Sequence, residues 1–354
     1  MNADESTIEW LYKDLLHVDA EWSIRTERGF TWWPHQHAQT VEITGEAKGP
    51  AGAMGSCISV LTEVLREFEL TDRTAITINE FAKLENSSMS GLVYDAQTRR
   101  LNLCSLVLMH DDMSEWMQPL IGMAAALQGF EAEGVALTLV RHIGVIEALS
   151  GHPTNGMRNS PDEMANIAKS LIAPIGETSC AWTGEEFKDA VDQYMQQPPA
   201  LLAHADRTGF TVEFPYGDVS SLCEATSNHP HRIFGNGLHV IQSFPTPRLG
   251  DVDGAKAALL MNTAELTVKP MGYGFGSYFY RDGLICFSTF FPNYIHKPGL
   301  LPNLYFASAQ RARAMSVQFS GKDWTADSFD FRRSAMGGAF FGPPSADPDG
   351  DARS

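Results

Sequence analysis

GFT at residues 29–31 returns as GFT at residues 209–211, and the reading of that echo decides the fold. The offset is 209 − 29 = 180 residues. Held without a gap, it sets Pro50 on Pro230, Gly55 on Gly235 and Val60 on Val240. The wider stretches, TERGFTWWPHQHA at 26–38 and DRTGFTVEFPYGD at 206–218, share the Gly-Phe-Thr core but not the two histidines of the first. Six identities over residues 26–65 are few, so the order of elements around them carries the argument.

Working outward, each GFT is preceded by an amphipathic helix. STIEWLYKDLL at 6–16 offers Ser6 and Glu9 as a capping box and Ile8, Leu11 and Leu15 as an apolar face. TGEEFKDAVDQYM at 183–195 offers Thr183 and Glu186, then Phe187, Val191 and Met195. Three strand-like segments follow in each half: GFTWWPH, QTVEITG and SCISVLTEVL against GFTVEFPY, VSSLCEA and GLHVIQSF. Residues 57–70 also carry helical spacing, but their counterpart contains Pro245 and Pro247, which a helix interior rejects, so a strand is expected. AITINEF at 75–81 alternates like a strand, yet GAKAALLMNTAEL at 254–266 reads as a helix, so a helix is expected in both halves. A hairpin comes next, at 90–109 and 276–291, the second turning at Arg281-Asp282-Gly283. Each half closes on a long helix, the first striped by Trp116, Leu120, Met123, Leu127 and Phe130.

The expectation is an α+β protein of two similar domains. Each runs helix, three strands, helix, two strands, helix, with an antiparallel sheet packed by helices. Residues 1–149 form the first repeat, 150–183 a connector loop and helix, 184–331 the second repeat and 332–354 a flexible tail. A chain of 354 residues suits two such units. Its 44% apolar and 19% charged content is that of a soluble globular protein with a sizeable core.

A net charge of −17 argues against a nucleic-acid surface, which needs clustered Lys and Arg. The longest apolar runs, such as VALTLV at 135–140, fall short of the ~20 residues of a membrane span. MNADESTIEW is acidic, without the basic and apolar regions of a secretory signal. Five scattered cysteines, with no CxxC pair, favour reduced thiols and a cytoplasmic setting.

The doubled element order, together with the acidic composition, resembles the type III secretion chaperone-like fold shared by secretion chaperones and YbjN-type bacterial proteins. The resemblance would cover residues 5–149 and 184–320. It implies a protein that binds polypeptide segments, with the two copies arranged as a dimer made covalent and further self-association open.

Candidate chemistry is sparse. His35 and His37, two apart on a strand, would share one face and could hold a metal with Asp111 or Glu42. The second half has Pro215 and Gly217 there, so the scaffold does not need them. Trp32 and Trp33 point to opposite faces of their strand. Cys104 and Cys286 sit in apolar strands, the wrong setting for a nucleophile. HDDMSEW at 110–116 reads as a helix start, and His229 and His231 as a surface turn. The glycine-rich stretches match neither GxGxxG before a helix nor a P-loop, and no GxSxG or HExxH occurs.

The leading expectation is therefore a cytoplasmic, non-enzymatic polypeptide-binding protein without a cofactor, with Trp33, Phe214, Phe279 and Phe291 as candidate binding residues. A metal-dependent or small-molecule enzyme centred on His35, His37 and Asp111 is the first alternative. A structural subunit of a larger assembly is the second.

Overall fold

The computed structural model describes residues 3–48, 54–83, 89–110, 114–163, 179–196, 200–231, 233–268 and 270–321. In the first half, helix α1 (Ala3–Trp10) leads through a π-turn into strands β1 (Ser23–Arg25), β2 (Gly29–Trp32), β3 (Gln39–Lys48) and β4 (Met54–Arg66). Helix α2 (Asp72–Lys83), strands β5 (Gly91–Asp95) and β6 (Arg100–Met109), helix α3 (Ser114–Ile143) and the two-residue β7 (Ile146–Glu147) follow. The second half comprises α4 (Gly184–Tyr194), β8 (Leu202–Ala205), β9 (Gly209–Tyr216), β10 (Val219–Thr226) and β11 (Gly237–Pro245). It continues through α5 (Asp251–Thr263), β12 (Ser277–Arg281), β13 (Leu284–Pro292) and α6 (Leu300–Ser320).

Both sheets are antiparallel and are laid out in the same order. The first runs β1-β2-β3-β4-β6-β5, with β7 added to β4, and the second runs β8-β9-β10-β11-β13-β12. The protein is thus α+β, with its strands in two sheets and helices packed on them. Four strands, not three, open each half. The added β1 and β8 span three and four residues, too few for an alternating pattern to register.

The repeated GFT has a steric cause. A Cβ on Gly29 would lie 2.0 Å from the Val41 carbonyl oxygen, and one on Gly209 would lie 2.0 Å from that of Ala225. The next residues, Phe30 and Phe210, are buried. Their rings meet Tyr12 at 5.1 Å and Tyr194 at 5.4 Å, tyrosines of the two opening helical segments.

The strand ladders also correct the gap-free offset. Gly29 pairs with Glu42 and Gly209 with Thr226, so β3 maps onto β10 at 226 − 42 = 184. Val60 faces Ser105 and Val240 faces Thr289, which returns β4 to an offset of 180 and puts β6 at 184. Cys104 and Cys286 are therefore two positions out of register, though on the same sheet face.

Helix starts follow capping chemistry unequally. Thr183 and Glu186 form the full capping box of α4. Ser6 and Glu9 do not cap α1, because it begins earlier: the Ser6 and Thr7 hydroxyls donate to the Ala3 carbonyl at 2.9 and 2.6 Å. The Arg281-Asp282-Gly283 hairpin has φ of 50° at Asp282 and 80° at Gly283, as a tight two-residue turn requires.

The halves meet along the edges β5 and β12, where α2 packs against α5. The Asn79 side chain of α2 extends the β12 ladder, its amide donating to the Tyr280 carbonyl at 2.9 Å and its oxygen accepting from the Tyr280 amide at 2.6 Å. The Leu106 amide of β6 donates to the Gly274 carbonyl at 3.0 Å. The largest apolar core cluster draws on both halves, from Leu11 and Trp32 to Phe187 and Phe291. Helix α3 is long and apolar enough, by length and composition, to cross a membrane, but 67% of its most apolar window is buried inside the protein. Most of the expected connector helix (residues 164–178) and the expected tail lie outside the described residues.

Candidate functional site

The histidine pair is not poised as a shared-face site. Residues 34–37 bend away from β2, so the two-residue spacing no longer aligns the rings. His35 Nδ1 lies 3.6 Å from the Glu133 carboxylate. His37 is buried, with Nδ1 2.9 Å from the Glu63 carbonyl and Nε2 3.2 Å from Glu147 of β7. Both of its nitrogens face protein acceptors, which ties β7 to the bend after β2. Asp111 lies outside the described residues. Among the described residues, no three His, Cys, Asp or Glu side chains converge to hold a metal ion.

The four aromatic binding candidates are core residues: Trp33, Phe214, Phe279 and Phe291 are each at most 5% exposed. Trp33 Nε1 donates to Ser150 Oγ at 3.2 Å and its ring meets His152 edge-on at 4.9 Å. Arg158 stacks over Trp22 at 5.2 Å while donating to the Trp33 carbonyl and to Asp162, both at 2.8 Å. The tryptophans thus fasten the 150–162 loop onto the first sheet. Burial pushes the Cys104 and Cys286 thiols up, against nucleophilic use.

A buried ion pair sits in the second half. Arg311 and Glu265 are both fully buried and joined by Nη2–Oε1 at 2.7 Å and Nε–Oε2 at 3.2 Å, with Tyr278 donating to Glu265 at 2.6 Å. Burial works against the guanidinium charge, and Glu265 more than restores it. Sealed from solvent, the pair is a structural group.

Several clefts are open among the described residues, one of them between α4 and the start of α6 and lined by Glu186, Asp189, Lys297 and Leu301; two others bear on function. On the outer face of the second sheet, His204, His239 and Glu224 project from β8, β11 and β10 into a cleft of about 320 Å³ that also holds Asp206 and His229. By strand register the first half has Ile24, Ser59 and Thr40 at the first three positions. Two of these five groups, Asp206 and His239, are engaged within the protein. The Thr208 amide and hydroxyl hold Asp206 below the usual carboxylate range as it caps the β8–β9 turn, and His239 Nε2 lies 2.8 Å from Ser288 Oγ.

The second cleft, of about 370 Å³, crosses the boundary between the halves. Phe130, Glu131, Glu133, Gly134, Val135, Leu137 and Thr138 of α3 line one side, Phe81 of α2 the floor and Ile233 the opposite wall. Phe81 and Val135 are buried, whereas Leu137 and Ile233 remain 39% and 40% exposed.

Ile233 is held there by a turn whose twin lies elsewhere in the chain. In HRIFG at 231–235, His231 and Gly235 exchange backbone hydrogen bonds of 2.7 and 2.9 Å, and His231 Nδ1 accepts from the Ile233 and Phe234 amides. HPTNG at 152–156 repeats this with His152, Gly156 and the Thr154 and Asn155 amides. Gly235 and Gly156 close the turns at φ of 70° and 72°. The expected surface turn at 229–231 therefore has a buried ring, His231, at its centre. The shared His-x-x-x-Gly spacing was the signal that could have found it.

Compared with known proteins, the chain matches no family model, no curated protein sequence and no solved structure.

Proposed function

We propose that this chain is a cytoplasmic, non-enzymatic protein that binds another polypeptide, in the manner of the secretion chaperone-like class its element order resembles. The observation that carries the reading is the open apolar cleft between α3 and Ile233, in which Leu137 and Ile233 stay 39% and 40% exposed among the described residues. Exposed apolar side chains that line a concavity, rather than being scattered singly, mark interaction sites. The side chains best suited to chemistry point the same way: His37, Asp206, Arg311 and Glu265 are engaged by internal partners. Affinity capture of the full chain from its native cells, read by mass spectrometry, tests the reading. A polypeptide recovered in near-stoichiometric amount supports it; repeated capture with no co-purifying polypeptide ends it. Metal analysis of the same preparation addresses the alternative at His35 and His37, which would require stoichiometric metal.

A further inference from the structure

Resting on the polypeptide-binding reading, we propose that the α3 cleft receives a basic amphipathic helix of the partner, which crosses α3 at Gly134. Three observations meet here. First, the cleft follows α3 from Phe130 to Thr138, eight residue steps or about 12 Å, a little over two helical turns. An entering helix would place apolar side chains at i and i+4 between Leu137 and Ile233.

Second, Gly134 sits mid-helix, among the poorest positions for glycine. Its two neighbours in the same helix differ from it. A Cβ on Gly122 would strike Leu15 at 2.4 Å, and one on Gly129 would reach Gln39 and Pro34 at 3.7 Å. A Cβ on Gly134 would meet no described residue within 4 Å. No described residue demands the missing side chain, and an approaching backbone would use the space.

Third, the lining among the described residues includes two carboxylates, Glu131 and Glu133, and no basic group. Glu133 is well exposed, with the His35 ring 3.6 Å away. With a net charge of −17 on the chain, the cleft favours Lys or Arg flanking the apolar face of the guest.

The test uses the full chain, two synthetic helical peptides of about 18 residues and fluorescence anisotropy. Both peptides carry the same leucine face; one is flanked by Lys and Arg, the other by Glu. The basic peptide is expected to bind, and the acidic one to bind at least about tenfold more weakly. Gly134→Leu fills the free space with a better helix former, so its melting temperature should equal or exceed that of the wild type while the basic peptide binds at least about tenfold more weakly. Glu133→Lys should weaken it about threefold at low salt, the effect fading as salt rises.

Equal binding by wild type and Gly134→Leu, or by the two peptides, overturns the inference. So does a change in oligomeric state of Gly134→Leu by light scattering, which would make the cleft a contact between copies of this chain. Cellular capture that still recovers a polypeptide with Gly134→Leu would also overturn it while leaving the polypeptide-binding reading intact.

Discussion

Gly29 and Arg311 show what single side chains contribute to this scaffold, and both can be measured. With the Val41 carbonyl 2.0 Å from where a Cβ would stand, Gly29→Ala forces β2 and β3 apart. Urea denaturation should show a loss of about 2 kcal/mol or more, as overpacking typically costs. Gly209→Ala should behave alike, because Ala225 presents the same obstacle at 2.0 Å. Arg311 stands where the first half has a neutral amide network: Gln128 accepts from Thr62 at 2.8 Å and donates to Ser90 at 3.1 Å. Arg311→Met strands the buried Glu265 charge and should cost about 3–5 kcal/mol. Replacing both members, as in Arg311→Met with Glu265→Leu, should recover much of that loss, since a well-packed apolar pair avoids desolvating two ions. A double variant as unstable as the single one would show that the pair organises more than its own charges.

Elements were legible in proportion to their length and to what their own residues could decide. The hairpin at Asp282-Gly283 and the box at Thr183-Glu186 are set by neighbouring residues, and both stand as read. Three- and four-residue strands, the four-residue slip at β3 and the unused box at Ser6 depend on pairing partners far along the chain, which local pattern does not encode. The α3 cleft was illegible for the same reason, joining Phe81 and Leu137 to an isoleucine from the other half. The α4 box offers a pH test at this scale. Glu186 sits below the ordinary carboxylate range: burial pushes it up, and the Thr183 amide and the His296 ring, 2.9 Å away, pull it further down. A carboxyl depressed in the folded state adds stability above its unfolded value and loses it as pH falls. Glu186→Gln should therefore cost about 1 kcal/mol at neutral pH, with the gap to wild type closing below about pH 4. A gap that persists in acid would assign the effect to packing.

At the scale of the molecule, the two halves share one strand order and meet along one edge of each sheet. Each sheet leaves one of its terminal strands, β5 or β12, at the seam, and neither edge is left bare. Asn79 continues the β12 ladder from the other half, while Leu266, in the turn after α5, packs on Val93 and Cys104 of the first sheet. Gly274 is required at the crossing, where a Cβ would meet the Leu106 carbonyl oxygen at 1.9 Å. A half expressed alone would expose an unpaired edge and the apolar floor of the shared core, the features that drive strand-edge aggregation. Separate expression of residues 1–160 and 179–354 should thus yield insoluble or self-associated material, and co-expression a soluble heterodimer with the circular dichroism of the intact chain. The covalent connection then acts as an effective concentration, not as a structural necessity. Two halves that each fold as stable monomers would instead mean that the seam is a weak contact, and the cleft bridging them would have to be defined by one half alone.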